Sequence, residues 1–499
     1  MKKLLISLLI SIGLLVGCAN SEPAKTVSDF SSIEDFYQQT ITWKKCGLFQ
    51  CGEIYVPIDY QDLSLGVFRL SLTRDPANQT QKRIGSLIVN PGGPGGSGIG
   101  FAQGGQATAS ISVLNRFDIV GFDPRGVGES EPISCLTDAE TDQFLSIDET
   151  PDTEKEIAYW NQWVERFAKS CQEKNPDTWR HIGSWNVARD MDVLRAALGE
   201  QKLNLLGKSY GTLLGSLYAE LFPDRVGRMV LDGAVDPDVD FDQNLTQIKS
   251  FELALNRFIS NCLSELGCPL DGPLDNAYQQ LIDFLAALDE QPLRGPDGRV
   301  LTESHATTAI LIGLYDDEEF WPYLKMVLGD ALEGDGQFML FLSDLANSRG
   351  DNGKYQDNSL AALYAVNCVD YGDSLSPTEL PNEVQRLTEA SRFFAPLFGW
   401  GSSACLGWKG KNLETVRRVN ATPTQPILII GTTYDPATPI AWTYSLSKQI
   451  SNSVVLEWVG DGHTAYRRGS LCVDGIVNEY LIFGTLPKNG EICPAIRRR

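Results

Sequence analysis

Histidine is scarce in this 499-residue chain, which contains only three, and basic residues are outnumbered by acidic ones. Zinc sites are built mainly from histidine and cysteine side chains, so such a site has few histidine ligands to draw on here. The balance of 42 Lys and Arg against 64 Asp and Glu gives a formal net charge of −22. A charge of that sign repels nucleic acid and favours solubility. We therefore expect no metal, no cofactor and no nucleic-acid partner.

Near its N-terminus the chain has an apolar segment that is too short to span a bilayer comfortably. Residues 4–16 follow Lys2 and Lys3, an arrangement typical of the hydrophobic region of a signal peptide. The segment ends in Leu-Val-Gly-Cys at 15–18, which resembles the lipobox of bacterial lipoproteins. That resemblance implies a lipid on Cys18 and a protein anchored to a membrane of the bacterial cell envelope, facing the periplasm or the exterior. A plain secretory signal with a coincidental cysteine is the alternative.

Ten cysteines remain when Cys18 is set aside, and in an exported protein an even number predicts disulfides. They are Cys46, Cys51, Cys135, Cys171, Cys262, Cys268, Cys368, Cys405, Cys472 and Cys493. Several of them lie close together in sequence. We favour pairing in chain order, while other connectivities stay open on sequence grounds.

The order of strand-like and helix-like segments predicts a doubly wound α/β sheet, parallel after its first strands, with an inserted helical cap. Strand patterns occur on both sides of residues 240–395. Within that stretch the apolar residues recur with the period of a helix, and no segment has a convincing strand pattern. A chain of 499 residues exceeds one typical domain, in keeping with a large domain that carries an insertion. The predicted divisions are a signal peptide at 1–17, a tether at 18–40, a first core part at 41–239, the cap at 240–395 and a C-terminal core part at 396–499.

A strand-turn-helix pattern at residues 203–222 carries the sequence Gly-Lys-Ser-Tyr-Gly at 207–211. Glycines on both sides of the serine permit a turn so tight that the serine is strained and its hydroxyl projects above the sheet edge. The N-terminus of the following helix favours developing negative charge. We interpret Ser209 as a catalytic nucleophile. The alternative is an ordinary glycine-rich turn.

A serine nucleophile needs a base, and in this type of fold the acid and the histidine follow the serine along the chain. Only His463 does so outside the helical stretch, in a Gly-Asp-Gly-His turn after the last strong strand. Asp435 lies in the loop after the preceding strand and is our first choice for the acid that orients His463. Asp232, at the end of the strand after the serine turn, is the second. Asp461 is assigned a turn role, because it lies only two residues from His463.

An oxyanion formed at an attacked carbonyl needs backbone N–H donors. One donor is expected to be the amide of Tyr210, the residue after the nucleophile. The other is expected from the glycine-rich loop at 91–96, directly after a buried strand, and within it we favour Gly93. A phosphate-binding function of this loop is not supported, because no G-x-x-x-x-G-K-S/T motif is present.

Six motifs, in order, resemble a known family. They are PGGPGGSG at 91–98, FDPRGVGES at 122–130, GKSYGT at 207–212, DGAVDP at 232–237, YDPATP at 434–439 and GDGHT at 460–464. Together they look like the α/β-hydrolase exopeptidases of the prolyl and tripeptidyl aminopeptidase type, and most closely like the secreted tripeptidyl-aminopeptidase-like branch. The resemblance implies hydrolysis of short peptides from their free N-terminus through an acyl-enzyme. The prolyl branch carries histidine before its GGPG, where this chain has Asn90-Pro91, so a preference for proline does not follow.

An aminopeptidase must also recognise the ammonium group of its substrate, which only carboxylates or carbonyls can do in a partly dry pocket. In prolyl-type relatives, acids of the cap supply this contact. The matching region here holds the acidic run 316–319, in which Glu318 and Glu319 are our candidates, and Asp370 is a further one. The alternative for the run is a solvated helix start, because acids are common there.

Three functions are compatible with these features to different degrees. The first is a lipid-anchored serine exopeptidase with peptides as substrates and no obligate protein partner. The second is an esterase or amidase with the same catalytic residues, because one fold hosts many substrates. The third is an envelope lipoprotein that binds peptides without turnover. The complete set of serine, acid, histidine and glycine loop argues against the third.

Overall fold

The computed structural model describes residues 30–238, 241–295, 298–372, 374–408 and 414–495, and of residues 241–244 it describes the backbone alone. The predicted signal peptide, Cys18 and the first part of the predicted tether lie outside the described residues. Within the described ranges, no helix has both the length and the apolar composition that a membrane crossing requires.

The main body of the protein is built on one large sheet. The described strands are β1 (Lys44–Cys46), β2 (Phe49–Pro57), β3 (Val67–Asp75), β4 (Gly85–Asn90), β5 (Phe117–Phe122), β6 (Leu203–Lys208), β7 (Val226–Asp232), β8 (Leu293–Arg294), β9 (Val300–Leu301), β10 (Ile427–Tyr434), β11 (Ser453–Asp461) and β12 (Glu491–Cys493). All but β8 and β9 belong to this sheet, in the order β1-β2-β3-β5-β4-β6-β7-β10-β11-β12. The pairings β1–β2, β2–β3 and β3–β5 are antiparallel, and the others are parallel. The carboxyl ends of the parallel strands therefore meet at one edge, where folds of this kind bind ligands.

Helices cover both faces of the sheet and form the insertion. The described helices are α1 (Ile33–Tyr37), α2 (Gly98–Gln103), α3 (Ile111–Leu114), α4 (Asp138–Leu145), α5 (Glu154–Lys174), α6 (Ser184–Ala197), α7 (Tyr210–Leu221), α8 (Phe241–Ser264), α9 (Leu274–Glu290), α10 (Glu303–Gly313), α11 (Phe320–Leu332), α12 (Gln337–Ala346), α13 (Ser359–Asp370), α14 (Leu380–Thr388), α15 (Ala395–Gly401), α16 (Ile440–Gln449) and α17 (Leu471–Phe483). Helices α8 to α15 lie between β7 and β10 in the chain. The predicted α/β-hydrolase fold class, with a mostly parallel sheet, is confirmed.

The central strands are buried on both faces. All six residues of β4 and all six of β5 are buried, as expected for parallel strands that read as continuous apolar runs. Successive side chains of a strand point to opposite faces. Leu205 and Met229 accordingly belong to the core on one face of the sheet, and Leu206 and Val230 to the core on the other.

The insertion has a hydrophobic core of its own. Buried side chains of α8 to α12, together with Leu387 and Phe393, form one cluster. Helix α13 instead contributes Ala362 and Val366 to the core of the main body. The insertion also contains a short antiparallel pair, β8 with β9, where we expected no strand. Strands of two residues cannot show an alternating pattern in the sequence, which explains the difference.

Five disulfides join the ten cysteines in chain order, which confirms the favoured pairing. They are Cys46–Cys51, Cys135–Cys171, Cys262–Cys268, Cys368–Cys405 and Cys472–Cys493. The widest of them spans a sequence separation of 37 residues. Disulfides of this number indicate an extracytoplasmic protein, because the cytosol keeps thiols reduced.

Candidate active site

Ser209 lies in a sharp turn between β6 and α7. Its backbone has φ 53° and ψ −125°, a conformation that residues other than glycine rarely adopt. Side chains on the two glycines of the motif would collide with the backbone or with a neighbour. A Cβ on Gly207 would lie 2.4 Å from the carbonyl oxygen of Gly211, and one on Gly211 would lie 2.8 Å from Asn90 Oδ1. The strained turn expected from the motif is therefore present, at the carboxyl edge of the sheet.

The glycine-rich loop after β4 lies directly against Ser209. A Cβ on Gly92 would lie 2.8 Å from Ser209 Cβ and 3.0 Å from the amide nitrogen of Tyr210. The Gly92 N–H donates to Asn90 Oδ1 at 3.0 Å, whereas the Gly93 N–H has no acceptor among the described residues. Tyr210 is the first residue of α7, so its N–H has no acceptor within the helix. In the described structure, neither amide therefore has an acceptor that would compete with a ligand at this turn.

Asp435 and His463 form a buried pair at the same edge of the sheet. His463 Nδ1 lies 2.9 Å from each carboxylate oxygen of Asp435. The Asp435 side chain is fully buried and that of His463 is 10% exposed. Because the carboxylate accepts the Nδ1 proton, Nε2 is left as the basic nitrogen of a neutral imidazole. The arrangement can take up a proton from a neighbouring hydroxyl.

Thr438 supports this pair and was missed by the sequence reasoning. Its hydroxyl donates to Asp435 Oδ2 at 2.9 Å and lies 3.3 Å from His463 Nδ1. The Asp435 carboxylate also accepts the N–H groups of Ala437, Thr438 and Thr464. These donors hold the carboxylate in one orientation. A threonine three residues after an aspartate in a turn is the local signal that could have identified it.

The two competing aspartates have other partners. The Asp232 carboxylate accepts the N–H groups of Ala465 and Tyr466, each at 2.9 Å. Asp461 forms a bidentate ion pair with Arg257 of α8, with Nη2 2.8 Å from Oδ2. In the described part of the chain, neither carboxylate makes a hydrogen bond to the imidazole of His463. The geometry therefore favours Asp435 as the acid that orients His463.

The insertion contacts His463 through one short segment. The His463 N–H donates to the carbonyl oxygen of Tyr315 at 2.8 Å, and the two rings meet edge to face with centroids 5.0 Å apart. Arg468 donates to the carbonyl oxygens of both residues and pairs with Asp316 at 3.0 Å and with Asp317 at 3.3 Å. Nothing in the local sequence indicated Arg468, because its partners in the insertion lie about 150 residues away in the chain. Two acids of the run 316–319 thus share one cationic partner, Arg468.

The other two acids of the run are exposed at the start of α11. Glu319 is the N-cap residue of that helix, as the helix-start alternative predicts. Glu318 lines a cavity of 580 Å³, whose walls include Trp321 and Trp458. This cavity adjoins the segment before His463, because Asp461 also lines it. Neither Ser209 nor His463 is among its lining residues.

Asp370 is enclosed by the protein, whereas we expected it to contact the substrate. It is fully buried, and its carboxylate accepts the N–H of Ser184 at 2.7 Å and the hydroxyl of the same residue. Ser184 Oγ in turn lies 2.6 Å from the hydroxyl of Tyr210. Burial raises the pKa of Asp370 to about 7. In the structure this carboxylate holds the start of α6 and, through Ser184, the side chain of Tyr210.

Comparison with known proteins identifies a family of hydrolases. A family model described as the alpha/beta hydrolase fold matches residues 85–467, from β4 to beyond His463. The chain is 36% identical over 482 residues to Serine protease Hip1 of Mycobacterium tuberculosis, covering 91% of each chain. It is 32% identical over 473 residues to Carboxylesterase B of the same species, covering 91% of this chain and 89% of that one. It is 30% identical over 470 residues to Tripeptidyl aminopeptidase of Streptomyces coelicolor, covering 91% and 86%.

Proposed function

The chain belongs to the α/β-hydrolase family, and on that premise we propose that it is a serine hydrolase with peptidase activity that cleaves short peptides from their free N-terminus. The observation that carries this proposal is the buried Asp435–His463 pair, at the sheet edge where the strained turn holds Ser209. A buried carboxylate that orients Nδ1 of a histidine, with a strained serine turn at the same sheet edge, is the arrangement that a serine hydrolase requires. A triad of this kind is recognised by its geometry and by the role of each residue.

The reaction follows from the contacts of these residues. Ser209 attacks the scissile carbonyl while His463 Nε2 takes the hydroxyl proton and then gives it to the leaving amine. Water, activated by the same imidazole, hydrolyses the acyl-enzyme. Asp435 keeps the imidazole oriented and stabilises the imidazolium. The amides of Gly93 and Tyr210 hold the oxyanion, and each such donor contributes about 3 kcal/mol to the transition state.

An esterase or amidase activity is the second candidate, because the same groups attack ester and amide carbonyls alike. One relative bears the name of a carboxylesterase, whereas two others are named as a protease and an aminopeptidase. The residues that bind the substrate decide between these activities.

We assign the ammonium contact of a peptide substrate to Glu318. Of the acids that line the 580 Å³ cavity, Asp317 pairs with Arg468 and Asp461 pairs with Arg257. Glu318 has no cationic partner among the described residues and is free to accept one. The two indoles give the cavity an apolar wall, beside which Glu318 can form a charge-assisted hydrogen bond. Glu319 lies beside it and adds negative charge.

Glu318→Gln should raise KM for free-amine peptides by about 10- to 100-fold, the scale of a charged hydrogen bond, and should change aryl-ester turnover little. The measurement is steady-state kinetics on a peptide, its N-acetylated form and an aryl ester, for wild type, Glu318→Gln and Glu318→Gln combined with Glu319→Gln. Glu333→Gln, at the other end of the same helix, is the matched control. If wild type cleaves free and acetylated peptides equally well, there is no ammonium site, and the esterase or amidase function replaces the exopeptidase.

We further propose that Cys18 carries a lipid that anchors the protein to a membrane of the cell envelope. The lipobox-like sequence at 15–18 supports this proposal, as do the five disulfides of an extracytoplasmic chain. The tether would then be shorter than the predicted range 18–40, because Phe30 and Phe36 pack into the core of the main body and α1 begins at Ile33.

Cys18→Ser should release the protein from the membrane fraction. An acyl chain contributes about 0.8 kcal/mol per buried CH₂, and this variant removes its attachment point. The measurement is fractionation of cells that express each form, followed by mass analysis of the N-terminal peptide. Retention of the serine variant with membranes would contradict the lipid assignment.

A further inference from the structure

We propose that Lys208 and Asp232 form a buried ion pair that positions His463 and balances its charge, an inference that rests on the proposed role of His463 as the base. Lys208 is the last residue of β6 and Asp232 is the last residue of β7. The two residues are partners in the parallel register of these strands. Both lie against residues 464–466, which directly follow His463 and are here called the histidine loop.

Asp232 connects the two halves of the proposed catalytic centre. Its carboxylate accepts the N–H groups of Ala465 and Tyr466, each at 2.9 Å. Its carbonyl oxygen accepts the N–H of Ser209, also at 2.9 Å. One fully buried residue therefore fixes the backbone of the nucleophile and the backbone that follows the base.

Lys208 holds the same loop from the neighbouring strand. Its Nζ donates to the carbonyl oxygen of Tyr466 at 2.7 Å and lies 3.5 Å from Thr464 Oγ1 and 3.8 Å from Asp232 Oδ2. Burial lowers the pKa of Lys208 and raises that of Asp232. Charges are expensive to bury, and the two offset each other's cost only while both are present. No step of the proposed reaction uses either group directly, so they are positioning residues.

The pair also acts on the charge of His463. The groups around the imidazole and its loop include Asp435 after β10, Asp232 on β7, Lys208 on β6, Arg468 after the loop and Tyr315 of the insertion. Arg467, which directly follows the loop, is paired with Asp474. The imidazolium that forms during acylation is attracted by the Asp232 carboxylate and repelled by the Lys208 ammonium. Removing one member of the pair should therefore stabilise or destabilise the imidazolium, according to the sign of the lost charge.

Opposite shifts in the acid limb of the kcat/KM–pH profile test this inference. In Asp232→Asn the imidazolium loses an attractive charge, so the acid limb of the profile moves to lower pH. In Lys208→Met the imidazolium loses a repelling charge, so the acid limb moves to higher pH. Each of the two shifts should be about 0.5 to 1 pH unit. The acid limb of the double variant should lie between those of the two single variants. Asp232→Asn should also lower kcat about 10- to 100-fold with little change in KM, because an amide cannot accept both N–H groups.

Asp192→Asn provides the matched control, because Asp192 is also fully buried but pairs with Arg195 and Arg225. Its acid limb should coincide with that of wild type. Thermal unfolding identifies any variant that fails to fold, and either single variant alone still tests the predicted sign. Shifts in the same direction, or no shift, in folded variants would overturn the inference. A wild type that a fluorophosphonate does not label at Ser209 would overturn the proposed function instead.

Discussion

Replacing Ser209 by alanine should lower turnover of peptides and esters by about 10⁵- to 10⁶-fold, the scale on which a serine hydrolase depends on its nucleophile. The substitution removes one oxygen from a half-buried residue at the sheet edge and no core volume. The free energy of unfolding should therefore change little, and the thermal midpoint should stay close to that of wild type. Residual activity would come from the oxyanion donors and from substrate binding alone.

A fluorophosphonate probe separates this loss of chemistry from a loss of structure. It should label wild type at Ser209, as shown by mass analysis of the modified peptide, and should not label Ser209→Ala. Ser216→Ala is the matched control in the same helix, because Ser216 is fully buried and donates to the carbonyl oxygen of Leu213. This control should label as wild type does. Labelling that persists in Ser209→Ala would show that another residue is the nucleophile.

Asp435→Asn should lower kcat by about 10³- to 10⁴-fold, with a smaller effect on KM. The carboxylate accepts the Nδ1 proton of His463 together with the N–H groups of Ala437, Thr438 and Thr464. An asparagine must turn its own N–H₂ toward some of these donors, so the imidazole loses its fixed tautomer and the stabilisation of its charged form. The measurements are kcat and KM on a peptide and an aryl ester, with thermal unfolding as the test of folding.

Asp232→Asn is the informative comparison for this variant. Both aspartates are fully buried and both lie close to His463, but only Asp435 contacts its ring in the described structure. The loss of kcat should therefore be at least ten times larger for Asp435→Asn than expected for a positioning residue such as Asp232. A larger loss of kcat in Asp232→Asn than in Asp435→Asn would show that Asp232 is the acid of the triad.

The fold class and much of the site could be predicted because their signals are local. A strand buried on both faces, such as β4, reads as a continuous apolar run, and the turn around Ser209 needs glycines at fixed positions. The contact between Asp435 and His463 could be anticipated for a related reason. Each residue follows the end of a parallel strand, and adjacent parallel strands bring their carboxyl ends together.

Contacts that depend on the packing of the insertion could not be predicted. The sequence around an aspartate on a helix does not show whether its carboxylate faces solvent or the core. In α13 the carboxylate of Asp370 is buried in the core. The link from Arg468 to Tyr315 joins segments that are 153 residues apart. The sequence also does not show which helices of the insertion pack into which of the two hydrophobic cores, because α12 and α13 have the same helical period.

The order of the disulfides has a consequence for how the protein acquires its covalent structure. A chain that crosses a membrane emerges from its N-terminus onward, so the cysteines meet an oxidant one after another. In this protein each disulfide joins two consecutive cysteines of the ten. The native partner of the first cysteine of each pair is therefore always the next cysteine to emerge. An oxidant that simply joins consecutive thiols would produce the native pattern, without a catalyst that breaks and reforms wrong pairs.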